Sequence, residues 1–158
     1  MAVKFLYGSA TTVISLAATL ANGANTYNGL TGCTLNLLDN STDKYPHCRF
    51  VIELQDTFSA APTAGSTIDL YMTLHDVDGT SDETPEPGAT DIVNLATYVG
   101  SFVLDNQDVA TRKAIIVHGC LAGVTSARFH ILNSSGVTLS YSTNAITVKA
   151  TPFTYEDA

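Results

Sequence analysis

The chain reads as an all-β protein, a two-sheet antiparallel β-sandwich of the jelly-roll kind with about eight strands. Three observations predict this. Residues 66–75 place Ile68, Leu70, Met72 and Leu74 at alternate positions, with Asp69, Tyr71, Thr73 and His75 between them. Side chains of a strand point alternately to opposite faces, so this run buries one aliphatic face and wets the other. A helix of the same residues would scatter the four aliphatics around its circumference. Similar short runs recur along the chain, separated by Gly, Pro, Asn and Asp turns, with almost no helical pattern. The connections between them vary in length, which favours a jelly roll over a simple meander.

Residues 1–10 read as an N-terminal arm, and residues 11–158 as a single sandwich domain, a size that supports one core. Phe5, Leu6 and Tyr7 are the arm residues set for apolar contact with a partner; a first edge strand in the protein's own sheet explains them equally well. Residues 11–16 form the first strand of the domain. Residues 16–20 could add one helical turn before Asn22-Gly23 breaks it. Residues 27–38 are of β type, interrupted by Gly29 and Gly32, and residues 39–43 form a loop. In residues 47–55, Cys48, Phe50, Ile52 and Leu54 face inward.

Residues 76–91, acidic and carrying Pro85 and Pro87, form the longest irregular stretch, a length that marks a functional or mobile loop. Strands follow at 95–104 and 110–118. In residues 127–132, Phe129 and Ile131 turn inward and Arg128 and His130 outward. Asn133-Ser134-Ser135-Gly136 signals a tight hairpin returning through residues 137–141. The last strand alternates Ile146, Val148 and Ala150 with Thr147, Lys149 and Thr151.

Charge is scarce and acidic: fifteen Asp and Glu against seven Lys and Arg give a net charge of −8. That balance argues against nucleic acid, whose phosphates are met by basic residues, and against anionic membranes. No apolar run approaches membrane-spanning length, and the first residues are too short a run for a signal peptide. Cys33, Cys48 and Cys120 lack the C-x-x-C spacing of a metal or redox motif. They read as buried free thiols; one disulfide with a leftover thiol, or a bridge between subunits, stays open. The Asn-x-Ser/Thr sequons at Asn40 and Asn133 carry little weight without a secretion signal.

Catalytic and metal-binding patterns are weak. Asp76, Asp78, Asp82 and Glu83 are the best candidate ligands for a hard cation, but the EF-hand pattern fails and a solvated Asp-Gly turn explains the same letters. His47, His75, His118 and His130 lie in four separate segments without zinc-site spacing, so each reads as a partly exposed strand residue. No nucleophile elbow or phosphate loop occurs. Paired carboxylates could still assemble from Asp69, Glu53 and the acidic loop. A chain without tryptophan is poorly equipped to grip a sugar. The expectation is a non-enzyme with no cofactor and no metal.

Several runs carry a resemblance. Residues 100–104, 111–114, 129–139 and 146–149, with residues 15–24, 62–71 and the Asp78-Gly79 turn, resemble small structural proteins of tailed bacteriophages, of the jelly-roll capsid decoration (cement) type. The resemblance covers most of the chain from Thr11 onward and rests on strand-and-turn patterns, so no functional residue carries over. It implies a protein of the virion surface, made in the bacterial cytoplasm, that binds the major capsid protein and copies of itself, for example as a trimer. Many small contacts would bridge neighbouring shell subunits against the pressure of packed DNA. The alternative is a tail- or fibre-associated adhesion module that holds a host glycan through residues 76–91.

Overall fold

The computed structural model describes residues 3–27, 30–55, 58–75, 96–141 and 145–157. Ten strands follow one another: β1 (Val3–Tyr7), β2 (Thr11–Leu16), β3 (Cys33–Leu35), β4 (Leu38–Asp39), β5 (His47–Leu54), β6 (Thr67–Leu74), β7 (Thr97–Val103), β8 (Thr111–Val117), β9 (Ser126–Ser134) and β10 (Ile146–Asp157). They form two antiparallel sheets, and no helix occurs among the described residues. The larger sheet has the order β3-β2-β10-β5-β8, with β1 also paired to β10; the smaller has the order β4-β9-β6-β7.

Setting β1 and β3 aside, the remaining eight strands pair first with last (β2 with β10), second with seventh (β4 with β9), third with sixth (β5 with β8) and fourth with fifth (β6 with β7). Such nested pairing wraps a long hairpin around a barrel-like core, so the sandwich is a jelly roll.

The core lies between the sheets. Phe50 of β5 meets Phe129 of β9 with ring centroids 5.0 Å apart, joining the two sheets at the centre. Ile14, Leu16, Ile52 and Val148 fill one inner face and Ile68, Leu70, Phe102 and Ile131 the other, all fully buried. The expected inward set Cys48, Phe50, Ile52 and Leu54 is buried.

Two bulges adjust the alternation. Val148 pairs with Ile14 but Lys149 with Thr12, so Val13 is an extra residue on β2 and is buried beside Ile14. Leu70 pairs with Gly100 but Tyr71 with Tyr98, which leaves Val99 as the extra residue on β7. At the edge where β7 crosses β8, a Cβ on Gly100 would lie 2.9 Å from Cδ1 of Ile115, the movable end of that side chain.

Three local expectations are corrected. Residues 16–20 make no helical turn; the Ala17 N–H donates to the Gly32 carbonyl at 2.8 Å, continuing the pairing of β2 with β3. Residues 137–141 form no return strand, and only Leu139 bridges, to Leu20 and Phe58. The reason lies in Asn133. Its backbone pairs with Ala24 and Gly23 (2.9 and 2.7 Å), while its amide Nδ2 donates to the carbonyls of Leu20 and Val137 (2.9 and 2.8 Å). Those bonds occupy groups that a hairpin ladder would use.

The third correction concerns β6 and β9. Tyr71, Thr73, His75 and His130 lie on the face expected to be wet, yet all four are buried.

Val3–Tyr7, expected within an arm, is an edge strand whose Phe5 and Tyr7 pair with Tyr155 and Phe153 of β10. Both sequon asparagines are structural. Asn40 donates to the carbonyls of Tyr45 and Val124 (2.9 and 3.0 Å) and accepts from the Tyr45 N–H at 2.9 Å, and Asn133 is fully buried.

Candidate interaction surface

The outer face of the larger sheet carries an aromatic cluster that the register of four strands assembles. On that face Tyr7 of β1 pairs with Phe153 of β10, and Phe153 pairs with His47 of β5. Cys48 pairs with Val117 of β8, which brings His118, the next residue, beside His47. Phe5 and Tyr155 form the row above.

Phe153 is the hub, with ring centroids 5.2 Å from His47, 5.7 Å from Tyr7, 5.7 Å from Tyr155, 6.0 Å from His118 and 6.2 Å from Phe5. It is only 2% exposed although it faces away from the inter-sheet core, because the neighbouring rings cover it. The covering rings stay open to solvent: Phe5 is 48%, Tyr7 56% and Tyr155 40% exposed. Leu6, on the opposite face of β1, is half-buried.

Ring contacts and hydrogen bonds hold the cluster in one arrangement. Phe5 meets Tyr155 edge-on at 5.0 Å, and Tyr155 stacks on His118 at 5.9 Å with 18° between planes. The Tyr155 hydroxyl and His118 Nδ1 share a hydrogen bond of 3.0 Å. His47 Nδ1 accepts the Gly119 N–H at 2.8 Å, which places its remaining proton on Nε2 when the ring is neutral. Desolvation, and then the nearby His118, lower the His47 pKa, so this imidazole stays uncharged near neutral pH.

His47 and His118, centroids 5.2 Å apart, therefore form a packed pair. The protonated Nε2 and occupied Nδ1 of His47 suit packing rather than metal ligation. No group of three or more potential metal ligands occurs among the described residues. The result is a pre-stacked ring surface, the composition of the energetic centre of a protein interface.

The far end of the same face is ionic. Glu53 accepts from Arg112 Nη2 at 2.7 Å, from Lys149 at 3.3 Å and from Thr147 at 3.4 Å. Partial desolvation opposes ionisation of Glu53, but the Lys149 hydrogen bond and the charges of Arg112 and Lys149 hold its carboxyl below the ordinary range. Lys113 pairs with Asp105 nearby.

The remaining sequence candidates fall elsewhere. Asp69 lies on the outer face of the smaller sheet and accepts from Ser101 (2.6 Å) and Ser134 (2.7 Å), so it and Glu53 sit on opposite sides of the sandwich and form no carboxylate pair. Of the four histidines, expected to be isolated and partly exposed, His47 and His118 pack together and His75 and His130 are buried. His75 and His130 are 4% and 3% exposed, and His130 Nε2 shares a 3.1 Å hydrogen bond with Thr73 Oγ1. The Tyr27 ring covers His130 edge-on at 4.7 Å. Nδ1 of both imidazoles is buried without a hydrogen-bond partner. The candidate cation ligands Asp76, Asp78, Asp82 and Glu83, and the loop 76–91 assigned to glycan binding, lie outside the described residues.

Phe5 and Tyr7 were legible from the sequence as apolar residues flanking the domain. Phe153, Tyr155, His47 and His118 were missed, since only cross-strand register brings them together. No protein-family model matches the chain, and no curated protein sequence matches it.

Proposed function

We propose that the protein is a non-enzymatic attachment protein that docks through the aromatic face of β1, β10 and β5 onto a protein shell. The outer surface of a bacteriophage head is the shell, and its major capsid protein the partner, that the sequence resemblance implies. The observation that carries the proposal is the ring cluster around Phe153, which leaves Phe5, Tyr7 and Tyr155 exposed by 40–56%. Rings already stacked on one another lose little conformational freedom on binding, so their burial converts efficiently into affinity. Jelly rolls serve both capsid and lectin domains, and a fold alone names neither. Repeated copies, for example as a trimer, would add avidity to modest single contacts.

The test is titration of the protein onto DNA-filled heads that lack it, with bound copies counted by co-sedimentation. Saturation at a number matching the capsomer lattice, with binding at least ~10-fold weaker for Tyr7→Ser and Tyr155→Ser, is the expected outcome. No binding, or binding indifferent to both substitutions, would overturn the proposal. Saturation at a few copies would move the site to the portal, neck or tail.

The exposed rings also favour a second reading, adhesion to a glycan, because sugar rings stack on aromatic faces. Glycan-array signals that Tyr155→Ser removes, without any binding to heads, would select it.

A further inference from the structure

We propose that Cys48 and Cys120 are a disulfide-forming pair that ties the turn after β8 to the start of β5, with Cys33 as the odd thiol. Cys48 is buried on the inner face of β5, in register opposite Val117 of β8. Beyond Val117 the chain turns back over β5 through Gly119, whose φ is +75°. Two backbone donors clamp that turn on either side of Cys120: the Gly119 N–H bonds His47 Nδ1 at 2.8 Å, and the Leu121 N–H bonds the Pro46 carbonyl at 3.1 Å. The Cys120 thiol bonds the carbonyl of Val117, the residue paired with Cys48, at 3.5 Å. It also faces the Cys48 N–H.

Cys48 and Cys120, both free thiols in the structure, are thus brought to one corner of the larger sheet by segments distant in the sequence. Cys33 lies on β3, at the opposite edge of the sheet from β8, with β2 and β10 between it and β5. It reaches neither of the others.

The chemistry balances with a small-molecule disulfide such as oxidised glutathione. The thiolate of Cys120, the less buried of the two, attacks one sulfur of that disulfide and expels a thiolate. The Cys48 thiolate then attacks the mixed disulfide at the Cys120 sulfur and expels the second. Two protein thiols become one S–S bond, and one glutathione disulfide becomes two glutathiones carrying the released protons. Burial holds the Cys120 thiol up at about 11, and burial followed by the charge of Cys120 holds Cys48 higher still, so exchange in the folded chain accelerates with pH. The bridge would lie beneath the His47–His118 corner of the aromatic face. It would therefore stiffen that surface in an oxidising medium and release it in a reducing one.

The full chain is incubated with oxidised glutathione at pH 8.5, and in parallel unfolded and refolded in a glutathione redox buffer. Both samples are acid-quenched, alkylated and read by intact mass and peptide mapping. The expected product has lost two hydrogens, links the Cys48 and Cys120 peptides, and keeps one alkylatable thiol at Cys33. Cys33→Ser still closes; Cys48→Ser and Cys120→Ser stop at mixed disulfides. The closed wild type melts about 5–10 °C above its reduced form. A refolded sample without the bridge, a bridge through Cys33, or a covalent dimer would each overturn the proposal.

Discussion

Acid should destabilise the protein through His130, in a pH range where carboxylates do not yet contribute. His130 is buried and has its pKa lowered from 6.5 to about 4 by desolvation first and by electrostatic interaction with Arg128 and then His75 second. The unfolded chain therefore takes up a proton at higher pH than the folded chain does. The stability is fully present above pH 6.5, falls as pH drops from there, and levels off below about pH 4. The loss amounts to about 0.8 kcal/mol at pH 6, about 2 kcal/mol at pH 5 and about 3 kcal/mol at pH 4.

His47, also lowered, loses stability in the same range, so the effect must be isolated by substitution. Glu53 and Asp39, held below 4.5 and 3.8, contribute stability that is lost only as pH falls beneath those values. Urea unfolding of wild type and His130→Gln at pH 7, 6 and 5, each compared with its own value at pH 7, provides the assay. The wild type should lose about 2 kcal/mol more than the variant by pH 5. Parallel losses would refute the reasoning, because they would mean that the buried imidazole takes a proton at no cost.

Other outcomes follow from packing and polar networks. Phe50→Ala opens a cavity against Phe129 at the join of the two sheets and should cost about 3–5 kcal/mol in urea unfolding, with an unchanged fold by circular dichroism. Asn133→Ala removes two donors and the acceptor for the Ser135 N–H and Oγ (3.0 and 2.6 Å), and should cost about 2–4 kcal/mol. Tyr7→Ser and Tyr155→Ser each uncover the Phe153 ring and should cost about 1–2 kcal/mol in urea unfolding while leaving the fold unchanged by circular dichroism, so loss of attachment by these folded variants would report on the surface.

Much of the fold was legible because alternation is local. Cys48 to Leu54, Ile68 to Met72 and Ile146 to Ala150 declare their inward residues in the sequence, and those residues are buried. The outer faces were not legible. Asp69, Tyr71, Thr73 and His75 alternate with aliphatics as a wet face would, but Tyr27 reaches across His130 and the face carries its own buried polar network. The hairpin signal at Asn133 was a true turn signal, yet the Asn133 side chain took the carbonyls that a returning strand needed.

The sequence by itself determined that this chain is a β-sandwich, because the period of the side chains dictates which face each one takes. Only the tertiary structure decided which strands are neighbours, since pairing joins residues far apart in the chain and alternation reports a face without naming what lies beside it. That step assembles the surface on which the proposed function rests: β1, β5, β8 and β10 converge so that residues 5, 7, 47, 118, 153 and 155 share one surface, and the same register sets Cys48 opposite Val117, three residues before Cys120.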